Sequence, residues 1–453
     1  MAGTRRSLQR VDADGARAVL RAVDRALALH AGSPARVALG LSGGRDSVAL
    51  FAAVVECARI DRANLVAVHV HHGLSSHAQH WADFCRDLAF AHGVAFDLRR
   101  VDAAVHTGAG IEATARSLRY RALRAASIDA GATVVLLAHH QDDQAETLLL
   151  QLLRGAGVHG LAAMPAWRRD DRIAWVRPLL DVARRDVETY VRMRGLAYVD
   201  DESNASSRHR RNALRHRVVP AIVDIADGYP GTIARAAAHQ AEAAQLIDDL
   251  ALLDAASLLE RGSLDRAGLA ALAPHRARNV LRHFLRLQAC RPPGSATLAA
   301  MLDQLVKSRP DANVRITHEG RTLGVHRGRI VVHAVPPAPY EYRWHGEASL
   351  DLPHGKLAFV PTRDGGLAVT RFDDAWRVKP RRGGERFQPF AMRPRRALKS
   401  WLREASMPRW QREALPLVFH AEDLVAVPGL GIDVAFQARP GEPGLTLDWQ
   451  PAA

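Results

Sequence analysis

Two short segments hold most of the side chains able to do chemistry. Ser42-Gly43-Gly44-Arg45-Asp46-Ser47 follows the apolar run Val37–Leu41 directly, and His139-His140-Gln141-Asp142-Asp143-Gln144-Ala145-Glu146-Thr147 follows Thr133–Ala138. In the first, paired glycines let the backbone turn with positive φ and bring its N–H groups against an anion. Ser42 and Ser47 add hydroxyls, and Ser47 is placed to cap a helix expected over 47–60. The positive end of that helix would favour a bound phosphate by about 0.3–1 kcal/mol when exposed and up to about 2 when partly buried. The spacing is neither G-x-x-x-x-G-K-[ST] nor G-x-G-x-x-G, which argues against a Walker ATPase and a dehydrogenase. In the second segment Asp143 and Glu146 stand three apart on one helix face, with His139 at the strand end beside them. Carboxylates beside a triphosphate can hold Mg²⁺ or grip a cationic substrate amine, and the residues leave both open.

Two further groups flank these. Arg116 and Arg119 share a helix face within Ile111–Tyr120, and either could reach an α-phosphate. His69 and His71 alternate onto one strand face, with His72 next to them; no third ligand stands at a metal spacing, so these histidines are expected to line the nucleotide pocket.

The elements that must position these residues follow from periodicity. The runs Val37–Leu41, Leu65–His71, Ala95–Val101 and Thr133–Ala138 are short and rich in β-branched residues, and each precedes a helix-length segment. The expected fold is α/β, a parallel sheet with helices on both faces, whose ligand lies beyond the carboxyl ends of the strands. From about Asp224 to Leu305 the pattern turns helical and alanine-rich, with amphipathic helices expected over Gln240–Leu259 and His275–Gln288. Pro336-Pro337-Ala338-Pro339 reads as a stiff connector, and Leu367–Thr370 and Leu424–Val427 suggest a small mixed α/β domain after it. The expected domains are therefore 1–220, 221–335 and 336–453.

Length and charge agree with several domains and a polyanionic partner. A chain of 453 residues exceeds one core, and no stretch approaches the ~18 apolar residues of a membrane span. Cys57, Cys85 and Cys290 are dispersed, which fits a reducing cytoplasm and offers neither a disulfide framework nor a zinc site. The formal charge of +14 is concentrated: Ser203–Arg217 carries five arginines (208, 210, 211, 215 and 217) and no acid, and Arg371–Arg412 carries a net +9. The two windows account for the whole excess and point to RNA.

The motifs together carry a specific resemblance. The S-G-G-x-D-S loop resembles the pyrophosphate (PP) loop of the ATP-pyrophosphatase superfamily. With it, His69-Val70-His71-His72-Gly73-Leu74, A-R-x-x-R-Y at 115–120, H-H-x-D-D-Q-x-E-T, Arg154-Gly155-Ala156-Gly157, Arg177-Pro178-Leu179-Leu180, Asp200-Asp201-Glu202-Ser203-Asn204 and Arg211-Asn212-x-x-Arg215 are similar, in order, to the catalytic domain of tRNA(Ile)-lysidine synthetases. Lys379-Pro380-Arg381-Arg382-Gly383-Gly384 and Leu398–Leu402 resemble that family's C-terminal domain. The resemblance implies ATP as cofactor, Mg²⁺ with it, and L-lysine and the CAU-anticodon tRNA(Ile) as substrates. ATP would adenylate the C2 oxygen of the wobble cytidine, and the lysine ε-amine would expel AMP. By likeness Asp46 and Arg119 serve adenylation, and His139, Asp143 and Glu146 surround the lysine and the reacting centre; Ser42, Gly43, Gly44, Arg45, Asp46 and Ser47 hold the nucleotide. The basic window ending at Arg217 would hold the anticodon stem and that from Arg371 a more distant part of the tRNA. The family allows a homodimer. A thiolase on the same fold would need a spaced cysteine pair, which Cys57 and Cys85 do not form; a non-catalytic RNA-binding protein would not need the intact loop and acidic pair.

Overall fold

The computed structural model describes residues 2–30, 36–71, 73, 75, 77–101, 111–200, 210–309, 314–335, 338–363, 365–368 and 376–451. His72, Leu74, Asp201, Glu202, Ser203, Asn204, Arg208, Pro336, Pro337, Thr370 and Arg371, which carried expectations above, lie outside the described residues. The chain divides into two units, Met1–Ile247 and Asp248–Ala453.

The first unit contains α1 (Ala2–His30), β1 (Val37–Gly40), α2 (Arg45–Glu56), β2 (Leu65–His71), α3 (Ala78–Ala91), β3 (Ala95–Arg100), α4 (Ile111–Asp129), β4 (Val134–Leu136), α5 (Gln141–Leu152), α6 (Val158–Leu161), β5 (Trp167–Asp170), β6 (Ile173–Val176), α7 (Arg184–Arg194), α8 (Arg210–Ala213) and α9 (Val219–Ile225). One sheet, ordered β3-β2-β1-β4-β6-β5, is parallel except for β5, which forms an edge hairpin with β6. Val37 and Leu39 of β1 and Leu65 and Ala67 of β2 enter one core with α1, α2 and α7. The alternate residues Ala38, Val66, Val68 and Val70 enter a second core with Leu123 and Ala126 of α4. Both faces are buried at the centre of the sheet, so β1, β4 and β6 read as unbroken apolar runs, whereas the edge strands β3 and β5 carry charged residues. Removing one fully buried leucine such as Leu39 would cost about 2–5 kcal/mol. Cys85 ends up buried in α3 and Cys57 follows the end of α2.

α10 (Tyr229–Ala255) contains the division between the units. The second unit continues with β7 (Leu259–Glu260), β8 (Ser263–Asp265), α11 (Arg266–Ala271), α12 (Pro274–Leu287), α13 (Ser295–Lys307), β9 (Arg315–His318), β10 (Arg321–His326) and β11 (Arg329–Ala334). The helical reading of this stretch found α10 and α12 but not the antiparallel sheet β7-β8-β11-β10-β9, whose strands are short hairpins with a weak period-2 signal. Leu264, Leu323 and Ile330 of that sheet pack on Leu281 and Phe284 of α12 and Leu298 and Leu305 of α13.

Beyond it come β12 (Tyr342–Arg343), β13 (Ser349–Leu352), β14 (Gly355–Thr362), β15 (Trp376–Pro380), β16 (Arg386–Phe387), β17 (Arg396–Ala397), α14 (Leu398–Glu404), α15 (Arg409–Ala414), β18 (Pro416–His420), β19 (Asp423–Val427), β20 (Gly431–Ile432) and β21 (Gly444–Pro451). They form sheets β12-β15-β18-β19-β20, β13-β14-β21 and β16-β17, with Trp344, Trp376, Val378 and Val425 in one core and Phe387, Trp401 and Leu417 in another. Among the described residues, no helix is long and apolar enough to cross a membrane.

Candidate functional site

The carboxyl ends of β1, β2 and β4 open onto a cleft of about 860 Å³, lined by Ser42, Gly44, Arg45, Asp46, Ser47, His69, His71, Arg119, His139, Arg184, Tyr198, Asp200 and Arg215, among others. Its floor is the glycine turn. Gly43 sits at φ +86°, and a Cβ there would meet Cys85 Sγ at 3.2 Å, so both conformation and space require glycine. A closed set of hydrogen bonds shapes the turn: Ser47 Oγ donates to Gly44 O at 2.8 Å and accepts from Ser42 N at 3.2 Å, while Gly44 N donates to Ser42 Oγ at 3.4 Å. The two hydroxyl oxygens lie 3.0 Å apart. α2 starts two residues earlier than expected, with Gly44 as its N-cap; Ser47 lies in the first turn and cannot cap it. The free N–H groups of that turn give the cleft its anion-binding end.

Asp46 connects this floor to the second motif. Its Oδ2 lies 3.5 Å from His140 Nε2, and Arg45 Nε meets its Oδ1 at 3.2 Å. Burial alone would raise the Asp46 carboxyl, but His140 and Arg45 outweigh it and hold the group at about 2. Arg45 is itself anchored by Glu188 at 2.6 Å, and Glu188 also binds Arg184 at 3.0 Å.

His140 was not among the expected site residues, yet it joins the two halves. As N-cap of α5 it forms a capping box: Asp143 N donates to its Nδ1 at 3.4 Å, and its own N–H donates to Asp143 Oδ2 at 3.1 Å. Burial lowers its pKa, but Asp46, Asp143 and Asp142 raise it by more. The signal available in the sequence was the box spacing, a polar residue three positions before Asp143.

Behind the cleft wall sit Asp143 and Glu146, which do not line it. Glu146, with a side chain 3% exposed, accepts from Arg211 Nε at 2.7 Å and from Arg215 Nε and Nη2 at 2.8 and 3.0 Å. Arg211 also lies 3.3 Å from Asp143 Oδ1 and donates to Asp143 O at 3.0 Å. Burial would raise Asp143, but His140 and Arg211 overcome it and keep it ionised. Both arginines come from the helix 210–225, which carries a π-helical turn at Leu214–Val218. They belong to the window expected to hold the anticodon stem; both contact these carboxylates, Arg215 also lines the cleft, and Arg210 and Arg217 are exposed.

His139 lines the cleft in neutral form. Burial pushes it down to about 3, with Arg177, Arg116 and Arg119 opposing the upward pull of Asp143. Its Nδ1 is buried with no hydrogen-bond partner. Arg119 reaches the cleft whereas Arg116 does not line it, and burial followed by repulsion from Arg116 lowers the Arg119 pKa. His69 is buried with Nδ1 2.8 Å from Leu41 O, a structural contact, and His71 lines the cleft. Gly43 is held from behind by Val199 N–H at 2.9 Å. Among the described residues no three His, Cys, Asp or Glu side chains converge as metal ligands.

Residues 19–222 match the PP-loop domain family, residues 264–331 the TilS substrate binding domain and residues 376–449 the TilS substrate C-terminal domain. A tRNA(Ile)-lysidine synthase of Nitrosomonas europaea is 38% identical over 92% of both chains. One of Ralstonia nicotianae is 40% identical over 92% of this chain and 93% of its own, and one of Chromobacterium violaceum 38% over 91% and 95%. Because the likeness runs through the glycine turn, the acidic helix and both later domains at such coverage, the chain belongs to the tRNA(Ile)-lysidine synthase family.

Proposed function

We propose that the chain ligates L-lysine to C2 of the wobble cytidine in the CAU-anticodon tRNA(Ile), with cleavage of ATP. The observation that carries this reading is the junction at His140, which sets a phosphate-binding turn and an acidic, arginine-buttressed helix side by side. In the first step the C2 oxygen attacks the α-phosphorus and pyrophosphate leaves. In the second the lysine ε-nitrogen attacks C2, and AMP departs with the former oxygen.

Each side chain has a part in this reading. Ser42, Gly44 and Ser47, with the α2 N-terminus, receive the departing pyrophosphate, while Arg119 offsets charge developing at the α-phosphate. Mg²⁺ would enter mainly on the phosphates, since it keeps several waters and needs only one or two protein carboxylates. Asp46, ionised and lining the cleft, fits as the protein ligand and would supply charge neutralisation there. His139, titrating near 3, is too weak a base to hold a proton at neutral pH and lines the cleft as an uncharged ring that does not repel the lysine ammonium. Asp143 and Glu146, behind the cleft wall, act on the lysine site indirectly, by neutralising Arg211 and Arg215 and holding Arg215 at the cleft edge.

Residues 1–220 would carry the chemistry, and 221–335 and 336–453 would hold the tRNA. Three free cysteines fit a reducing cytoplasm, and a homodimer would be read by sedimentation. Sulfur transfer is disfavoured because burial raises the Cys85 thiol to about 12, leaving it without thiolate character beside the cleft. The test incubates the protein with ATP, radiolabelled lysine, and transcripts of tRNA(Ile) and elongator tRNA(Met), both with CAU anticodons. Label should enter only the isoleucine transcript. Pyrophosphate release without label would sink the lysine assignment and keep the ATP chemistry.

A further inference from the structure

Outside the nucleotide cleft, guanidinium groups gather around one phenol. Arg116 Nη2 donates to Tyr120 Oη at 3.4 Å, and the Cζ atoms of Arg116, Arg119 and Arg168 lie 5.2, 5.9 and 5.8 Å from the centre of the Tyr120 ring. Arg168 also covers Trp175 at 5.5 Å, and the Trp175 ring packs 5.2 Å from Tyr120. Arg177, only 5% exposed, lies against the Tyr120 hydroxyl and donates Nη1 to Pro165 O at 2.8 Å, while its Nε is buried without a partner.

Among the described residues no acid offsets this charge. Among the described residues none of the four arginines makes an ion pair there, and Asp170 on β5 is taken by Trp175 Nε1 at 2.8 Å and Arg124 at 3.6 Å. Burial, then repulsion among the guanidiniums, lowers the pKa of both Arg119 and Arg177. Such a cluster is the counterpart of an anion. The nucleotide cleft supplies that anion for Arg119, which lines it, but Arg116, Arg168 and Arg177 do not line it. The exposed Arg116 and Arg168 are thus left for a second anion, and Arg119, which touches both the cleft and Tyr120, sets that place next to the cleft.

We propose that the exposed Arg116 and Arg168, backed by the buried Arg177 that holds the Tyr120 hydroxyl, bind a backbone phosphodiester of the RNA beside the nucleotide being adenylated. Arg119 then stands between the ATP phosphates and the RNA phosphate. The planar, always-charged fork of arginine suits a phosphodiester, and a contact to the backbone positions the strand without reading its sequence. This inference rests on RNA being the substrate.

The test uses the full chain with Arg116→Gln and Arg168→Gln combined, both side chains being exposed, and the melting temperature of the variant is checked first. Affinity for the tRNA(Ile) transcript is measured between 50 and 200 mM salt, and ATP binding is measured separately without RNA. The expected result is an RNA Kd raised about tenfold and a slope of log affinity against log salt shallower by about 0.7 for each single-strand phosphate released. The Arg116→Lys, Arg168→Lys pair should restore the slope while recovering only part of the affinity. Unchanged RNA affinity and slope in the glutamine variant would overturn the proposal. So would weakened ATP binding with RNA binding intact, which would assign the cluster to the nucleotide. Should the unaltered protein bind the transcript and transfer lysine while the variants behave like it, only this inference fails. If the unaltered protein binds no tRNA, the reading of its substrate fails first.

Discussion

The two basic segments of this chain look alike as strings of arginine, yet the second keeps many of its pairs on the surface, with Arg395 on the buried Asp433 an exception. In the segment at 210–217, Arg211 and Arg215 are three-quarters buried and close on Glu146, whose side chain is 3% exposed. In the segment at 377–412, Arg393 and Arg396 reach Glu404, whose side chain is 48% exposed, and Arg409 pairs with Glu413 at 2.7 Å on the surface. A buried carboxylate stripped of its cations leaves an uncompensated charge, whereas an exposed pair gains little in water and is screened by salt. Charge density along the sequence therefore says that an anion is needed but not whether it is the protein's own carboxylate or a ligand.

The contrast is broken most severely at the buried end. Removing both partners with Arg211→Ala and Arg215→Ala should cost about 3–5 kcal/mol of stability, seen as a lower urea midpoint, and should abolish lysine transfer. A loss below about 1 kcal/mol would mean that Glu146 is better solvated than its burial indicates.

Acid sharpens the same region. The folded His139 ring titrates near 3 against an ordinary 6.5, so the unfolded chain takes up its proton first as pH falls. Stability associated with the neutral ring is complete above 6.5 and drains away down to about 3, on the order of 5 kcal/mol across that window. His139→Gln should remove that part of the slope in denaturant titrations from pH 7 to 3, and an unaltered slope would contradict the burial assigned to the ring.

At the exposed end the effect moves from stability to binding. Neutralising Arg381, Arg382 and Arg386 should weaken tRNA binding roughly tenfold and flatten its salt dependence by about 1 for each phosphate no longer gripped. Arg382 and Arg386 should account for more of this than Arg381, which already faces Glu385 at 3.4 Å. An unchanged slope refutes a phosphate role for the three. The smallest change is Glu404→Gln, expected to shift stability by less than about 1 kcal/mol and by nothing measurable in 1 M salt. A larger loss would show that the cation stack of Arg396 over Trp401, 4.0 Å from the ring centre, depends on Glu404 to hold it.

Much of the catalytic unit was legible before folding. The four parallel strands and the glycine turn are local patterns, and β-branched runs next to turn residues state them with little help from distant chain. The short hairpins at 259–334 were not, because strands of two to six residues leave too few alternations to outweigh the neighbouring alanine-rich helices. His140 was passed over for a different reason: its place between Asp46 and Asp143 depends on two strand ends meeting across the sheet.

Residue order alone therefore specified a nucleotide turn, an acidic helix and a polyanion-seeking excess of arginine, since each is a matter of composition and spacing within a few residues. Which arginines remain free for a ligand was decided only by folding. Arg211 stands 65 positions from Glu146 along the chain and 2.7 Å from it in space. Burial then converts that proximity into a strong preference for pairing, because a desolvated carboxylate is tolerated only beside a cation, and no local pattern encodes which distant side chain that will be.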